Sequence, residues 1–542
     1  MKNAKIIYGA CITALLSIGA LAGCKSKSGA DKYDKNGRLI LELKNVYFNN
    51  WEGADTYTET LNEMFQVAIR PTNYVYGNWD EMVNVAINGD NLTDVIHFNL
   101  KAYNFGSTYE KWVDGQIIKA LPDDLSKWPH LQEMLSHVSN IDRLKYDGKL
   151  YCIPVMSDIV NYEKDFSNFT YVYRRDWAKQ IDEMPVNVNN PNYIPIYKEG
   201  DVYTWEEFNR LLAAFKTHIK DITGTNQSIP LVDQPWAFPS VTNFYKEVPH
   251  CFVKDSNGKA INAFTSDEYM AGLEVAKNLA SETIYSPDQG SFTEENDKAY
   301  QAYKGGFAGV LYDNFSLANY IQLREYMRKE PKLDDATALM KVKGPDGKFA
   351  LEGTENWFSA TMFNYDISEK KMNKILDIMD YLLSEEGTRL AIYGKEGYDY
   401  NIVNGEVELT EKGWEKGADG KYAPKDNGAK YLRYMVTLGN DTKSFDPYTD
   451  MDAYNILNAW TEEMKQAKKD GLLRVVKEPA DIDWMSTPTK NDKTEGLLAD
   501  ANVSASKYAM SYKGFDKNAY LDSFKNASWE RVLKEINEKL GK

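Results

Sequence analysis

What this sequence has little of narrows its function first. It holds four cysteines in 542 residues, at positions 11, 24, 152 and 251, and no pair has the Cys-x-x-Cys spacing of a redox or zinc site. The five histidines (His97, His130, His137, His218 and His250) form no His-Glu-x-x-His or similarly spaced metal pair. There is no Gly-x-Ser-x-Gly elbow and no phosphate-cradling Gly-rich loop ending in Lys-Ser or Lys-Thr. Positive charge is in deficit: 64 Lys and Arg against 80 Asp and Glu leave a net charge of −16, which argues against a nucleic-acid partner. Past residue 24 no apolar run approaches the ~20 residues of a membrane helix. Internal repeats are lacking too, so a solenoid is not indicated.

What is present begins with a leader. Lys2 and Lys5 precede an apolar stretch from Ile6 to Ala20, followed by Leu21-Ala22-Gly23-Cys24. The expectation is a signal peptide over residues 1–23, with Leu-Ala-Gly-Cys resembling a bacterial lipobox whose Cys24 carries lipid. Residues 24–38 are polar and charged, the composition of a flexible tether. The remaining cysteines, Cys152 and Cys251, read as small buried hydrophobes. The chain is too long for one core, so two or more domains are expected.

Local patterns supply an α/β reading. Leu39 to Phe48 reads as a strand, Trp79 to Ile87 as a helix closed by Gly89, and Asp94 to Phe98 as the next strand, an order typical of a parallel sheet. Thr204-Trp205-Glu206-Glu207 is a capping box before Phe208, Leu211, Leu212 and Phe215; Thr265-Ser266-Asp267-Glu268 repeats that logic. Gly305 to Tyr312 reads as a glycine-rich buried strand that Asp313-Asn314 ends. Ser368 to Leu383 and the stretch from Trp529 to Leu540 are amphipathic helices. Asn404-Gly405 and Asp419-Gly420 place hairpins or an extended loop within 394–430. Two β-type runs inside Tyr146–Trp177, split by Pro154 and a polar stretch, are expected to carry the chain between lobes beside a cleft.

Aromatic residues make up 13% of the chain, with 12 Trp and 37 Tyr, and several lie at expected strand ends, where an open α/β sheet presents ligand contacts. Flat rings suit the C–H faces of sugars, and adjacent amides and acids suit their hydroxyls. Trp51, Asn99, Trp236, Asp313, Asn314 and Trp357 are the candidates.

Several segments resemble a known family. Asn88-Gly89-Asp90-Asn91-Leu92-Thr93-Asp94-Val95-Ile96, Asp147-Gly148-Lys149-Leu150-Tyr151-Cys152-Ile153-Pro154, Val172-Tyr173-Arg174-Arg175-Asp176-Trp177 and Tyr393-Gly394-Lys395-Glu396-Gly397-Tyr398-Asp399-Tyr400 are similar, in order, to motifs of the extracellular solute-binding proteins of family 1. The similarity is to the long, lipid-anchored subgroup that serves bacterial ABC importers of sugars. The resemblance implies a two-lobed periplasmic-binding-protein type II fold with an interlobe cleft, no enzymatic activity and no cofactor. The implied divisions are lobe 1 over 39–168, lobe 2 over 169–356, a return to lobe 1 over 357–400, and a C-terminal extension over 401–542 packing across both lobes. It adds Asp158 to the cleft, and implies a carbohydrate ligand, permease partners, a monomer, and a place on the outer face of the membrane. The competing reading is a lipid-anchored glycoside hydrolase, since among 80 acidic residues the sequence singles out no catalytic pair and excludes none. Where several long members carry a calcium loop, this chain has Asp221 to Pro230 with a single carboxylate, so no metal is expected there.

Overall fold

The computed structural model describes residues 30–48, 51–100, 104–159, 162–224, 229–234, 237–245, 251–287, 298–327, 336–416, 422–425, 428–439 and 450–541. The leader, Cys24 and Trp236 lie outside these residues. Two mixed six-stranded sheets organise the chain. In the first, Leu39–Asn45 alternates buried and half-buried positions, so Leu39, Leu41 and Leu43 enter the core while Ile40, Glu42 and Lys44 on the other face stay half-buried. It pairs in parallel with Val67–Asn73 on one side and with Val95–Phe98 on the other. Trp357–Asn364 then runs antiparallel between Val95–Phe98 and Cys152–Met156, and also pairs with Ile118–Lys119. The first strand stops at Asn45, earlier than the sequence suggests. The Asn45 side chain accepts from the Tyr47 backbone N–H at 2.9 Å, which turns Val46–Phe48 out of the ladder.

The second sheet runs Tyr285–Pro287, Ile229–Asp233, Ala308–Asn314, Phe169–Arg174, Thr337–Val342, Val202–Tyr203, with Phe169–Arg174 antiparallel to both neighbours. Helix Trp205–Thr223 covers it. Its Thr204 capping box is complete, and Phe208, Leu211, Leu212 and Phe215 are buried. Ala308–Asn314 begins three residues later than expected: Gly305 and Gly306 form the turn before it, Gly306 at φ +76°. Gly309 is the close approach, because a Cβ there would stand 2.4 Å from the Phe215 ring and 3.1 Å from the Pro230 carbonyl. We expect Gly309→Ala to cost roughly 1–3 kcal/mol through overpacking, read as a lower urea midpoint; an unchanged midpoint would show that the helix yields freely.

Other local expectations shift by small steps. Ser266, rather than Thr265, caps helix Asp267–Ser281, accepting from the Tyr269 N–H. Residues 394–416 hold the hairpin Tyr400–Val403 with Glu406–Leu409, whose turn residues Asn404 and Gly405 both have positive φ. The described end of the expected tether is not free: the Ile40 N–H donates to the Lys32 carbonyl at 2.9 Å, Tyr33 bridges Leu39, and Lys370 Nζ donates to the Tyr33 hydroxyl at 2.9 Å. Backbone pairing at the start of Leu39–Asn45 and the Lys370 side chain capture a stretch whose composition alone reads as loose. Among the described residues, no helix is long and apolar enough to cross a membrane.

The chain passes between the sheets over residues 157–168 and again over 353–356. These two crossovers run side by side, with Ser157 N–H donating to the Asn356 carbonyl, Ser167 N–H to Glu352 and Thr354 N–H to Asp165 at 2.9 to 3.0 Å. Asn356 locks them to the first lobe: its side-chain oxygen accepts from Ser139 N–H at 2.9 Å, and its amide donates to the His137 carbonyl at 2.8 Å. The C-terminal strand Leu473–Val476 adds in parallel to Phe349–Glu352 beside the second crossover. A separate apolar cluster joins Cys251, Phe252, Tyr269 and Leu273 to Ala501, Tyr520, Trp529 and Ile536 of the C-terminal helices. Cys152 and Cys251 are both buried free thiols.

Candidate ligand cleft

Both crossovers leave at the carboxyl-terminal edges of the parallel strands, so those edges bound the cleft. On the first lobe the edge is aromatic. The Tyr47 ring lies 5.5 Å from Tyr434, 5.8 Å from His97 and 6.5 Å from Tyr76. Tyr76 is 46% exposed, which leaves it able to meet a ligand. Trp51 stacks on Tyr431 at 5.7 Å and 18°. Its indole N–H is held by Asp55 at 2.6 Å, and Asp55 also caps helix Thr56–Phe65 through Thr58 N–H. Trp51 is therefore a fixed half-buried wall of this edge. Tyr434 is tied in by the Asn45 amide, which donates to its carbonyl at 3.3 Å.

His97 is not a surface group. It is fully buried, its Nδ1 accepting from Val46 N–H at 3.4 Å and its Nε2 meeting Ser359 Oγ at 2.8 Å, and burial pushes its pKa down to about 3. It is neutral and orients the loop that carries Tyr47.

Asn99 follows the strand Val95–Phe98. Its carbonyl accepts from the Asn104 amide at 3.0 Å, while its buried side-chain oxygen has no hydrogen-bond partner among the described residues, an acceptor left over at the cleft edge. Asp158 lies two residues past Met156, half-buried on the first crossover. Its field raises the Lys164 ammonium, but burial outweighs it and brings Lys164 down to about 8. Lys164 lies 5.5 Å from the Phe166 ring and 6.0 Å from Trp460, and donates to the Asn168 side chain.

The second lobe presents amides and acids. Asp313 and Asn314 are the last two residues of their strand, opposite Thr170 and Phe169, rather than a turn beyond it. Asp313 is buried. Its carboxylate accepts from Asn314 N–H at 2.7 Å and meets the Gln234 amide at 3.5 Å. Behind this edge Asp233 is fully buried, accepting from Ser240 N–H at 2.7 Å, Ser240 Oγ at 2.9 Å and the Tyr285 hydroxyl; burial raises its carboxyl to about 7. Beside it a cavity of about 20 Å³, lined by Tyr171, Asn243, Tyr312 and Trp460 among others, has room for a single water.

Trp357 departs from its expected role. Only 4% exposed, it begins the central strand, packs in the first-lobe core and donates its indole N–H to the Ser139 carbonyl at 3.2 Å. Its pairing opposite Met156 and its bond to Ser139 hold it in that core. Sequence reasoning missed Tyr47, Tyr76, Tyr431, Tyr434, Gln234 and Lys164. Tyr431 and Tyr434 reach the edge from almost 400 residues downstream of Tyr47, with no local signal; Tyr47 sat inside what reads as strand.

Comparison with known proteins places this geometry. No protein-family profile matches the sequence. Among curated proteins, lipoprotein LipO of Bacillus subtilis (strain 168) is 24% identical over 261 residues, 46% of this chain and 47% of the relative; the match spans about half of each. Among solved structures, the alginate-binding protein AlgQ2 without calcium ion aligns with a TM-score of 0.61 at 16% identity, covering 93% of this chain and 97% of the other. An extracellular solute-binding protein from Bifidobacterium longum subsp. infantis aligns at 0.61 and 16%, covering 93% and 100%. The ABC-transporter substrate-binding protein FusA of S. pneumoniae, in complex with kestose, aligns at 0.57 and 14%, covering 93% and 99%. The chain has the two-lobed α/β fold of these solute-binding proteins.

Proposed function

We propose that this chain is the carbohydrate-binding component of a bacterial ABC importer, held to the outer face of the membrane by lipid on Cys24. The observation that carries the reading is the aromatic edge of Tyr47, Tyr76, Trp51, Tyr431 and Tyr434 on one lobe, set across the crossovers from Gln234, Asp313 and Asn314 on the other. A pyranose ring packs on an aromatic face through its C–H groups, and its hydroxyls pair with amide and carboxylate groups. A ligand that touches both edges favours the closed arrangement by the contacts it makes only there. An oligosaccharide fits the length of an edge built from several rings. The likeness to AlgQ2 and FusA supports the same class, as does the name of the B. subtilis lipoprotein for the anchor. Delivery to permease subunits and action as a monomer follow from this role. Trp236, outside the described residues, stays a candidate for the second lobe's share of ring stacking.

Thermal-shift screening against a glycan panel, with the sugar recovered afterwards, tests this. The expected result is a raised melting temperature with the glycan intact; release of new reducing ends would establish a hydrolase instead. With a binding sugar in hand, Tyr434→Ala and Tyr76→Ala are each expected to weaken affinity by roughly 1–2 kcal/mol, the scale of one ring's burial and stacking. Calorimetric titration measures it, and unchanged affinity in both variants would remove the aromatic edge from the site.

A further inference from the structure

The C-terminal segment 480–509 touches both lobes, and its two contacts are of different kinds. Against the second lobe it is anchored by apolar burial: Ala501, Ala505 and Tyr508 pack with Cys251, Phe252, Tyr269 and Leu273, the Tyr508 hydroxyl donates to Glu274, and Lys254 pairs with Asp481. Against the first lobe it makes a small patch on the short helix Gly106–Glu110 and on Phe105 just before it. Trp484 meets the Phe105 ring edge-on at 5.5 Å, and Ser486 Oγ donates to Glu110 Oε2 at 2.7 Å. Gly106 lies under both Ser486 and Asn491. A Cβ at this glycine would stand 2.4 Å from Asn491 Nδ2 and 2.6 Å from Ser486 Oγ, while the Asn491 amide itself donates to Ser486 Oγ at 2.7 Å. As they are placed, the Asn491 and Ser486 side chains occupy the space that a side chain at residue 106 would take.

Rotation of the lobes about the crossovers has to separate one of these two contacts. The buried cluster loses far more apolar area than the patch, so the patch is the one that parts. We propose that Trp484, Ser486 and Asn491, seated on Phe105, Gly106 and Glu110, form an interlobe latch. The C-terminal segment moves with the second lobe and biases the chain, without ligand, toward the lobe arrangement of this structure. A latch of this kind changes the population of the binding-competent state and so scales the apparent affinity for any ligand. The inference does not depend on the ligand being a sugar.

The test is an interlobe distance in the ligand-free full chain. Spin labels go on Val85→Cys and Val188→Cys, which are 64% and 67% exposed on opposite lobes, with Cys11→Ser and Cys24→Ser; Cys152 and Cys251 are buried. Electron–electron dipolar spectroscopy then compares this parent with Gly106→Leu and with the double variant Ser486→Ala/Asn491→Ala. Both are expected to give longer and broader distances than the parent, Gly106→Leu the more so, with circular dichroism unchanged. Should Gly106→Leu fail to fold, the double variant, which adds no atoms, decides alone. Distances equal to the parent's in folded variants would overturn the latch.

Discussion

Replacing Lys371 with methionine is expected to lower the unfolding free energy by roughly 3–5 kcal/mol, the cost of leaving one half of a buried ion pair unpaired. Lys371 and Asp94 are each 1% exposed, with Lys371 Nζ 2.8 Å and 2.9 Å from the two carboxylate oxygens. Asp94 also accepts from the Glu42 N–H at 2.7 Å, so it ties helix Glu369–Leu383 to the strands Leu39–Asn45 and Val95–Phe98. Even with its partner, burial holds the Asp94 carboxyl above its ordinary value. A folded-state pKa above the unfolded one means that the folded state binds more protons, so this group's contribution is full below the unfolded pKa and fades as pH rises. Removing Lys371 raises the carboxyl further. The deficit of Lys371→Met is therefore greater at pH 7 than at pH 4, and guanidinium melts at the two pH values measure it. Replacing both residues by apolar ones of similar volume is expected to restore most of the loss; if the double variant is no better than the single one, the pair holds the lobe by more than mutual compensation.

The second large effect belongs to Asp233. Its carboxyl rises from 3.8 to about 7 because burial disfavours its charge more than Ser240 and Tyr285 favour it. By the same sign, stability is fully present below pH 4 and lost as pH rises toward and through 7, with a ceiling on the order of 4 kcal/mol for three pKa units. Asp233→Asn cannot ionise and keeps one acceptor oxygen, so its stability curve is expected to lack this loss and to cross that of the wild type near neutrality. Asp233→Ala is the severe case. It strips the acceptor from Ser240 N–H, Ser240 Oγ and the Tyr285 hydroxyl, at about 1–3 kcal/mol for each donor left unsatisfied. Urea titrations from pH 4 to 8 compare the three proteins, and parallel curves for wild type and Asp233→Asn would mean that Asp233 does not titrate in that window.

The local elements were the most readable part of this chain. The Thr204 capping box, the stripe of Met372, Ile375, Leu376, Met379 and Leu382, and the Asn404-Gly405 turn each rest on contacts within a few residues, and each is present in the structure. Boundaries slipped where a side chain competed with the backbone, as Asn45 does in ending the first strand. The candidate cleft was readable only in outline. Asp313 and Asn314 lie at the expected edge, but as strand residues; Trp51 lies on its edge with its indole already engaged; Trp357, identical in type, is core. Nothing in the composition around these tryptophans separates a wall from a core side chain, because the difference is made by strands that pair with them from elsewhere in the chain.

By itself, then, the sequence determined the α/β class, the segments resembling solute-binding proteins and the lack of familiar catalytic motifs, since all of these are written in short-range pattern. Only the tertiary structure decided that Trp357–Asn364 returns to the middle of the first sheet, that Tyr431 and Tyr434 complete the aromatic edge begun by Tyr47, and that Ser486 and Asn491 settle on Gly106. Each joins residues hundreds of positions apart, and their meeting depends on how two large sheets and four apolar clusters close around one another rather than on any local preference.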